Sequence, residues 1–100
     1  MARLKIEFLA AAKTDFREAV EWYHKNTSPK ATRKLVLSLG RALDQIALFP
    51  KGCPIFRGDV RRIALRGFPY WLYYAEVGNR VQIVAIFQTK TDSDAYSARI

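Results

Sequence analysis

VRRIALRGFPYWLYYAEVGNRVQIVAIFQ, residues 60 to 88, decides the fold. Its β-branched and aromatic residues fall into three runs, Val60 to Arg66, Tyr70 to Val77 and Val81 to Gln88, divided by turn residues. Such side chains suit a pleated surface, so the spacing predicts three consecutive strands. Gly78-Asn79 is a two-residue hairpin signal, because the tight turn needs a positive φ that glycine and asparagine tolerate. Short connections make these strands antiparallel neighbours.

Upstream of this stretch the period changes. Leu35, Leu39, Ala42, Ile46 and Phe49 recur at helical spacing, and Pro50, Gly52 and Pro54 end the pattern. Ser28-Pro29 announces the start of that helix, a hydroxyl cap followed by a proline whose missing N–H costs nothing in a first turn. An earlier helix places Ala12, Phe16, Ala19, Val20 and Tyr23 on one side and Lys13, Asp15, Arg17, Glu18 and Glu21 on the other, ending near Asn26. Residues 3 to 8 alternate between Leu4, Ile6, Phe8 and Arg3, Lys5, Glu7, the period of a half-buried strand. The order β-α-α-β-β-β predicts an α+β, two-layer fold. An N-terminal strand and a helical hairpin pack on a mostly antiparallel sheet, and residues 1 to 100 form a single domain.

Composition narrows the function. In 100 residues, 17 Lys and Arg face 9 Asp and Glu, a formal charge of +8 that favours acidic partners. The single Cys53 and single His24 build neither an internal disulfide nor a structural zinc site, so no metal or cofactor is expected. The longest apolar run near the N-terminus, Phe8 to Ala12, is five residues, with no secretory pattern and no membrane span. A cytoplasmic, reducing setting is expected. His24 reads as an exposed helix-terminal imidazole, Cys53 as a small loop residue, and Asp92 and Asp94 as solvated acids.

The chemistry concentrates in FRGDVRRIALRGFPYWLYY, residues 56 to 74, where Arg57, Arg61, Arg62 and Arg66 precede a cluster of rings. Alternation puts Ile63 and Leu65 on one face and Arg62, Ala64 and Arg66 on the other. With helices over Ile63 and Leu65, the arginines line the open face. Two readings stand there: a platform for phosphates, stacked bases or an acidic protein segment, or cations that keep a sheet face soluble above core rings.

LRGFPYWLYY at 65 to 74, the Gly-Asn hairpin, the apolar strand from Val81 to Phe87 and the preceding ALFPKGCP at 47 to 54 together resemble the ParE/RelE superfamily of type II toxin–antitoxin toxins, often labelled plasmid stabilisation proteins. The resemblance spans nearly the whole chain and implies a cognate acidic, ParD-like antitoxin. It also implies one of two targets. RelE-like members cut messenger RNA on the ribosome without a metal, whereas ParE-like members poison DNA gyrase. For the nuclease reading, the matching positions with suitable chemistry are Arg62, Lys90 and Tyr96. Ala64 and Trp71 stand where that branch carries cations, and Gln88 stands where many members carry a histidine. Each preorganised donor is worth about 10²- to 10³-fold in rate, and glutamine is no base near neutral pH. The resemblance therefore points to a ParE-like gyrase poison, with a ribosome-dependent endoribonuclease as the alternative. Arg57, Arg61, Arg62, Arg66 and Trp71 are the residues expected to meet an antitoxin or target.

Overall fold

The computed structural model describes residues 3–90. Strand β1 (Lys5–Phe8) leads into helix α1 (Ala10–Asn26) and helix α2 (Pro29–Leu48), and four strands follow: β2 (Ile55–Arg57), β3 (Val60–Ala64), β4 (Tyr70–Val77) and β5 (Arg80–Gln88). They form one sheet in the order β1-β5-β4-β3-β2, with β1 parallel to β5 and the other neighbours antiparallel. The α+β layering expected from the periodicities is present.

Local chemistry accounts for the helix ends. Ser28 Oγ accepts the Ala31 N–H at 3.2 Å, and Pro29 occupies the first turn of α2. Helix α1 starts at Ala10, two residues ahead of the expected Ala12, and its N-cap Leu9 has no side-chain cap. The sheet supplies the anchor instead, since the Leu9 N–H donates to the Ile83 carbonyl at 3.0 Å. Both helices pack on the same face. Leu35, Leu39 and Ile46 of α2 and Ala12 and Ala19 of α1 meet Leu72, Tyr74, Val81, Ile83 and Ile86 of the sheet in one core. Ile63 and Leu65 join this core, as alternation required.

Strand β2 is absent from the sequence reading. It is three residues long and lies at the sheet edge, closed onto β3 by Gly58-Asp59 between the paired Arg57 and Val60. Gly58 has φ +58°, and Gly78 at the other hairpin has φ +61° while Asn79 stays negative. Both turns thus place glycine first, where the strand twist demands the positive angle.

The pairing of β4 with β5 skips a residue. Tyr73 faces Ala85 and Tyr74 faces Ile83, so Val84 is an extra residue, a β-bulge. The bulge lets Ile83 and Ile86 both enter the helix-side core. It falls where β1 runs out, because β1 pairs with β5 only from Arg80 to Ile83. Past that point Asp15 of α1 takes over, its carboxylate accepting the Ile86 N–H at 3.0 Å. A backbone donor left without its partner in a half-buried setting costs about 1 to 3 kcal/mol. Asp15→Ala should therefore lower stability by about that amount in urea denaturation, with Asp15→Asn recovering part of it through its amide oxygen. An Asp15→Ala protein with an unshifted midpoint would show that the Ile86 N–H does not depend on this carboxylate.

Candidate functional site

The sheet face opposite the helices is where the sequence placed an arginine platform. Its centre is apolar. Val60, Tyr73, Ala75 and Ala85 are buried there, with Phe56, Trp71, Val84 and Phe87 packed around them. The Tyr73 ring lies 5.2 Å from Phe56 and 5.9 Å from Phe87 between centroids.

Arg62 is the cation at the middle of this face. In the register it stands opposite Tyr73, with Trp71 diagonal to it. Its guanidinium lies 4.0 Å from the Trp71 ring centroid and 4.6 Å from that of Phe56. Both are close cation–π contacts. Phe56 occupies the bulged position of β2, and bulges re-aim side chains. Arg57 approaches the same Phe56 ring at 5.6 Å. The geometry combines a stacked guanidinium with half-buried aromatic surface, suited to planar or apolar groups of a partner as much as to anions.

The other expected site residues do not gather around Arg62. Arg61 points to the helix side and donates to the Cys53 carbonyl, a half-buried contact that ties the 50–54 loop to β3. Arg66 lies past the end of β3, in a turn held to α2 by the Ser38 hydroxyl donating to the Arg66 carbonyl at 2.9 Å. The alternation that was to keep Arg66 on the open face stops at Ala64, where β3 ends. That turn reverses through Gly67 at φ +85°, which a side chain would strain. The expectation that Arg62 and Arg66 share the open face is thus corrected: Arg62 lies there, with Arg57 beside Phe56, and Arg66 does not.

Lys90 lines a recess of about 190 Å³ with Trp22, Tyr23, Tyr70 and Gln88, on the α1 side. Arg62 is on the other face of the sheet. The bulge at Val84 is the reason Gln88 faces α1, since it reverses the alternation beyond it. Tyr96 lies outside the described residues, as do Asp92 and Asp94. His24 is exposed in the last turn of α1, and Cys53 is a buried free thiol. Among the described residues no group of three or more His, Cys, Asp and Glu side chains could hold a metal ion, and no helix is long and apolar enough to cross a membrane. Sequence reasoning missed Phe56 as a partner of Arg62; the Gly58-Asp59 pair, chemically the twin of Gly78-Asn79, was the available signal.

The described residues thus set a helical hairpin on one sheet face and a ring-bound arginine on the other. The chain belongs to the ParE toxin family: the family model described as the ParE toxin of the type II toxin–antitoxin system parDE matches residues 6–93. Among solved structures, a chain described as the chromosomal ParDE TA system from P. aeruginosa superposes with a TM-score of 0.73 at 17% identity, covering 86% of this chain and 96% of that one. A mutant of the E. coli toxin RelE, solved in complex with a peptide of the antitoxin RelBc, superposes with a TM-score of 0.53 at 20% identity, covering 100% of this chain and 96% of that one. At these identities the likeness is one of fold. No curated protein sequence matches the chain.

Tyr74 anchors the helix side of the site. It is fully buried, and its hydroxyl donates to the Pro50 carbonyl at 2.9 Å. Burial first, and then the adjoining Cys53 side chain, push this hydroxyl well above the ordinary tyrosine range, with Arg61 opposing. Tyr70 is raised as well, by burial and by Tyr23, against the hydrogen bond from Gln88. Below about pH 10 the folded and unfolded chains both keep these protons and the hydrogen bond contributes in full. Above it the unfolded chain releases them first, so stability falls as pH rises toward the raised folded values, by up to about 1.4 kcal/mol per pH unit for Tyr74. Tyr74→Phe should lose about 1 to 2 kcal/mol at pH 8 and show a shallower decline between pH 10 and 11.5 in urea denaturation. Parallel declines for the two proteins would contradict the assignment.

Proposed function

We propose that this chain is the toxin of a type II toxin–antitoxin pair that acts in the cytoplasm on DNA gyrase and is neutralised by a short acidic, ParD-like antitoxin. The observation that carries this reading is the setting of Arg62. Metal-free cleavage of RNA requires a proton acceptor, a proton donor and cations around one phosphate. Here the Arg62 guanidinium is taken up by the rings of Trp71 and Phe56, while Lys90 lines a recess beside α1 on the other side of the sheet. Ala64, the residue after Arg62 on the same face of β3, adds no charge, and Gln88 adds no imidazole. Family membership supports the toxin and antitoxin parts of the reading, and the +8 charge supports an acidic partner.

Induction of the protein without an antitoxin tests the target. DNA synthesis should stop and the DNA-damage response should rise while pulse-labelled protein synthesis continues, and purified gyrase should accumulate cleaved DNA complexes. In a ribosome-dependent cleavage assay, wild type, Arg62→Ala and Lys90→Ala should share one background. Prompt arrest of translation with replication intact, or a loss of 10²-fold or more in RNA cleavage on either substitution, would establish the RelE-like activity instead.

A further inference from the structure

Two of the chain's 9 acids, Asp15 and Glu18, line a cleft between α1 and the end of β5. With Trp22 they fall at i, i+3 and i+7, so one stripe of the helix forms the wall. The cleft consists of two recesses that share Trp22, Tyr70 and Gln88: one of about 410 Å³ reaches Asp15 and Glu18, and one of about 190 Å³ reaches Lys90. Carboxylates thus stand at one end and an ammonium at the other. Among the described residues neither Glu18 nor Lys90 enters an ion pair, while Asp15 accepts the Ile86 N–H and still contributes its charge. Trp22 is 52% exposed, an indole that the core does not use, and an edge contact with Tyr23 at 5.0 Å between centroids braces it. Tyr70 is only 6% exposed. Its hydroxyl oxygen accepts from Gln88, and among the described residues nothing accepts its proton in return. A buried donor of this kind calls for an acceptor from outside the fold.

We propose that this cleft binds a small zwitterion of the arginine class, its guanidinium on the Trp22 ring against Glu18 and Asp15 and its carboxylate held by the Tyr70 hydroxyl and Lys90. A guanidinium suits the first end better than an ammonium, because its plane stacks on the indole while its fork pairs with a carboxylate. The other end needs an acceptor. A ligand carboxylate takes the Tyr70 proton and a hydrogen of the Lys90 ammonium, both in charge-assisted bonds. Ligands of a single sign fail at one end: a simple cation leaves Lys90 and Tyr70 unmatched, and an acidic peptide or a nucleic acid meets Glu18 and Asp15. The larger recess falls within the roughly 300 to 1,000 Å³ usual for small-molecule sites. None of these six side chains belongs to α2 or to the aromatic face around Arg62, so the site stands apart from the antitoxin and gyrase parts of the function. Free arginine and the C-terminal arginine of a polypeptide present the same chemistry, and the experiment separates them.

Two-dimensional NMR of the full chain tests this through the indole N–H signals of Trp22 and Trp71, the second a reference on the other sheet face, with Trp22→Phe fixing the assignment. Ligands of this size on an open site bind in the millimolar range, so each is added up to about 50 mM at constant ionic strength. L-arginine should shift the Trp22 signal saturably, leave Trp71 in place and raise the unfolding temperature. Agmatine, which lacks the carboxylate, and citrulline, which lacks the guanidinium charge, should each bind at least about tenfold more weakly, the loss expected of one charge-assisted hydrogen bond. Glu18→Gln and Lys90→Met are exposed changes, checked for folding by circular dichroism, and each should weaken L-arginine by the same factor. Lys90→Met should leave agmatine binding within about twofold, since agmatine has no group for that end. A peptide ending in a C-terminal arginine that binds as tightly as L-arginine supports the site as one for a chain terminus, and a much weaker peptide supports it as one for the free amino acid. The absence of a saturable Trp22 shift overturns the inference. So does citrulline or agmatine matching L-arginine, or folded Glu18→Gln and Lys90→Met proteins that bind like wild type.

Discussion

One inserted residue, Val84, sets the arrangement of the two sheet faces. Without it, the strict alternation of β5 would carry Val81 and Ile83 to the helices and turn Ile86 away. With it, Ile83 and Ile86 both seal the helix-side core, and Ala85 and Phe87 go to the opposite face with Tyr73. A bulge disrupts the local ladder, and here β1 ends at the same place, so two gaps in pairing coincide. Asp15 closes them from α1. The helix is thereby tied to the strand end that carries Gln88 and Lys90, and these residues are kept on the α1 side of the sheet, away from Arg62.

Arg62 then acquires its character from what surrounds it. A guanidinium beside two rings gains about 0.5 to 2 kcal/mol of cation–π attraction. Its remaining capacity lies in the N–H edges of the fork, which suit a planar acceptor approaching in one plane. A catalytic phosphate site needs several cations converging from different directions, and β3 supplies no second one on this face because position 64 is alanine. The high net charge is spread over separate regions: Arg61 is spent on the Cys53 carbonyl, Arg66 joins Lys34 and Arg41 beside α2, and Lys90 stands by α1.

How much of this was legible follows the period of each segment. The helices show strong 3.6-residue stripes and sharp stops, and Ser28-Pro29 and Pro50 mark ends that the structure places within a residue or two. The start of α1 was not legible, because a backbone bond from Leu9 to Ile83 anchors it and no capping side chain does. Strand β2 was obscured by Gly52 and Pro54 just ahead of it, which read as loop, although Gly58-Asp59 carries the same turn chemistry as Gly78-Asn79. The face of each arginine depended on where β3 ends. Alternation separates Arg61 from Arg62 correctly and fails at Arg66, since the period of a strand says nothing once the chain has left it. The stacking of Phe56 on Arg62 needed both the missed strand and its bulge. Among the expected nuclease residues, convergence was a tertiary question that spacing along the chain does not pose.

The separation of charge also limits what a single partner can cover. Lys34, Arg41 and Arg66 beside α2 and Arg62 on the aromatic face lie on opposite sides of the sheet, so a rigid partner docked on one group does not reach the other. Covering both requires a chain that continues past the sheet edge. At that edge β2 is three residues long, with Ile55 exposed, and it has no outer neighbour among the described residues. An unpaired edge of this kind presents backbone N–H and C=O groups to an added strand, and the exposed Ile55 sets apolar surface beside them.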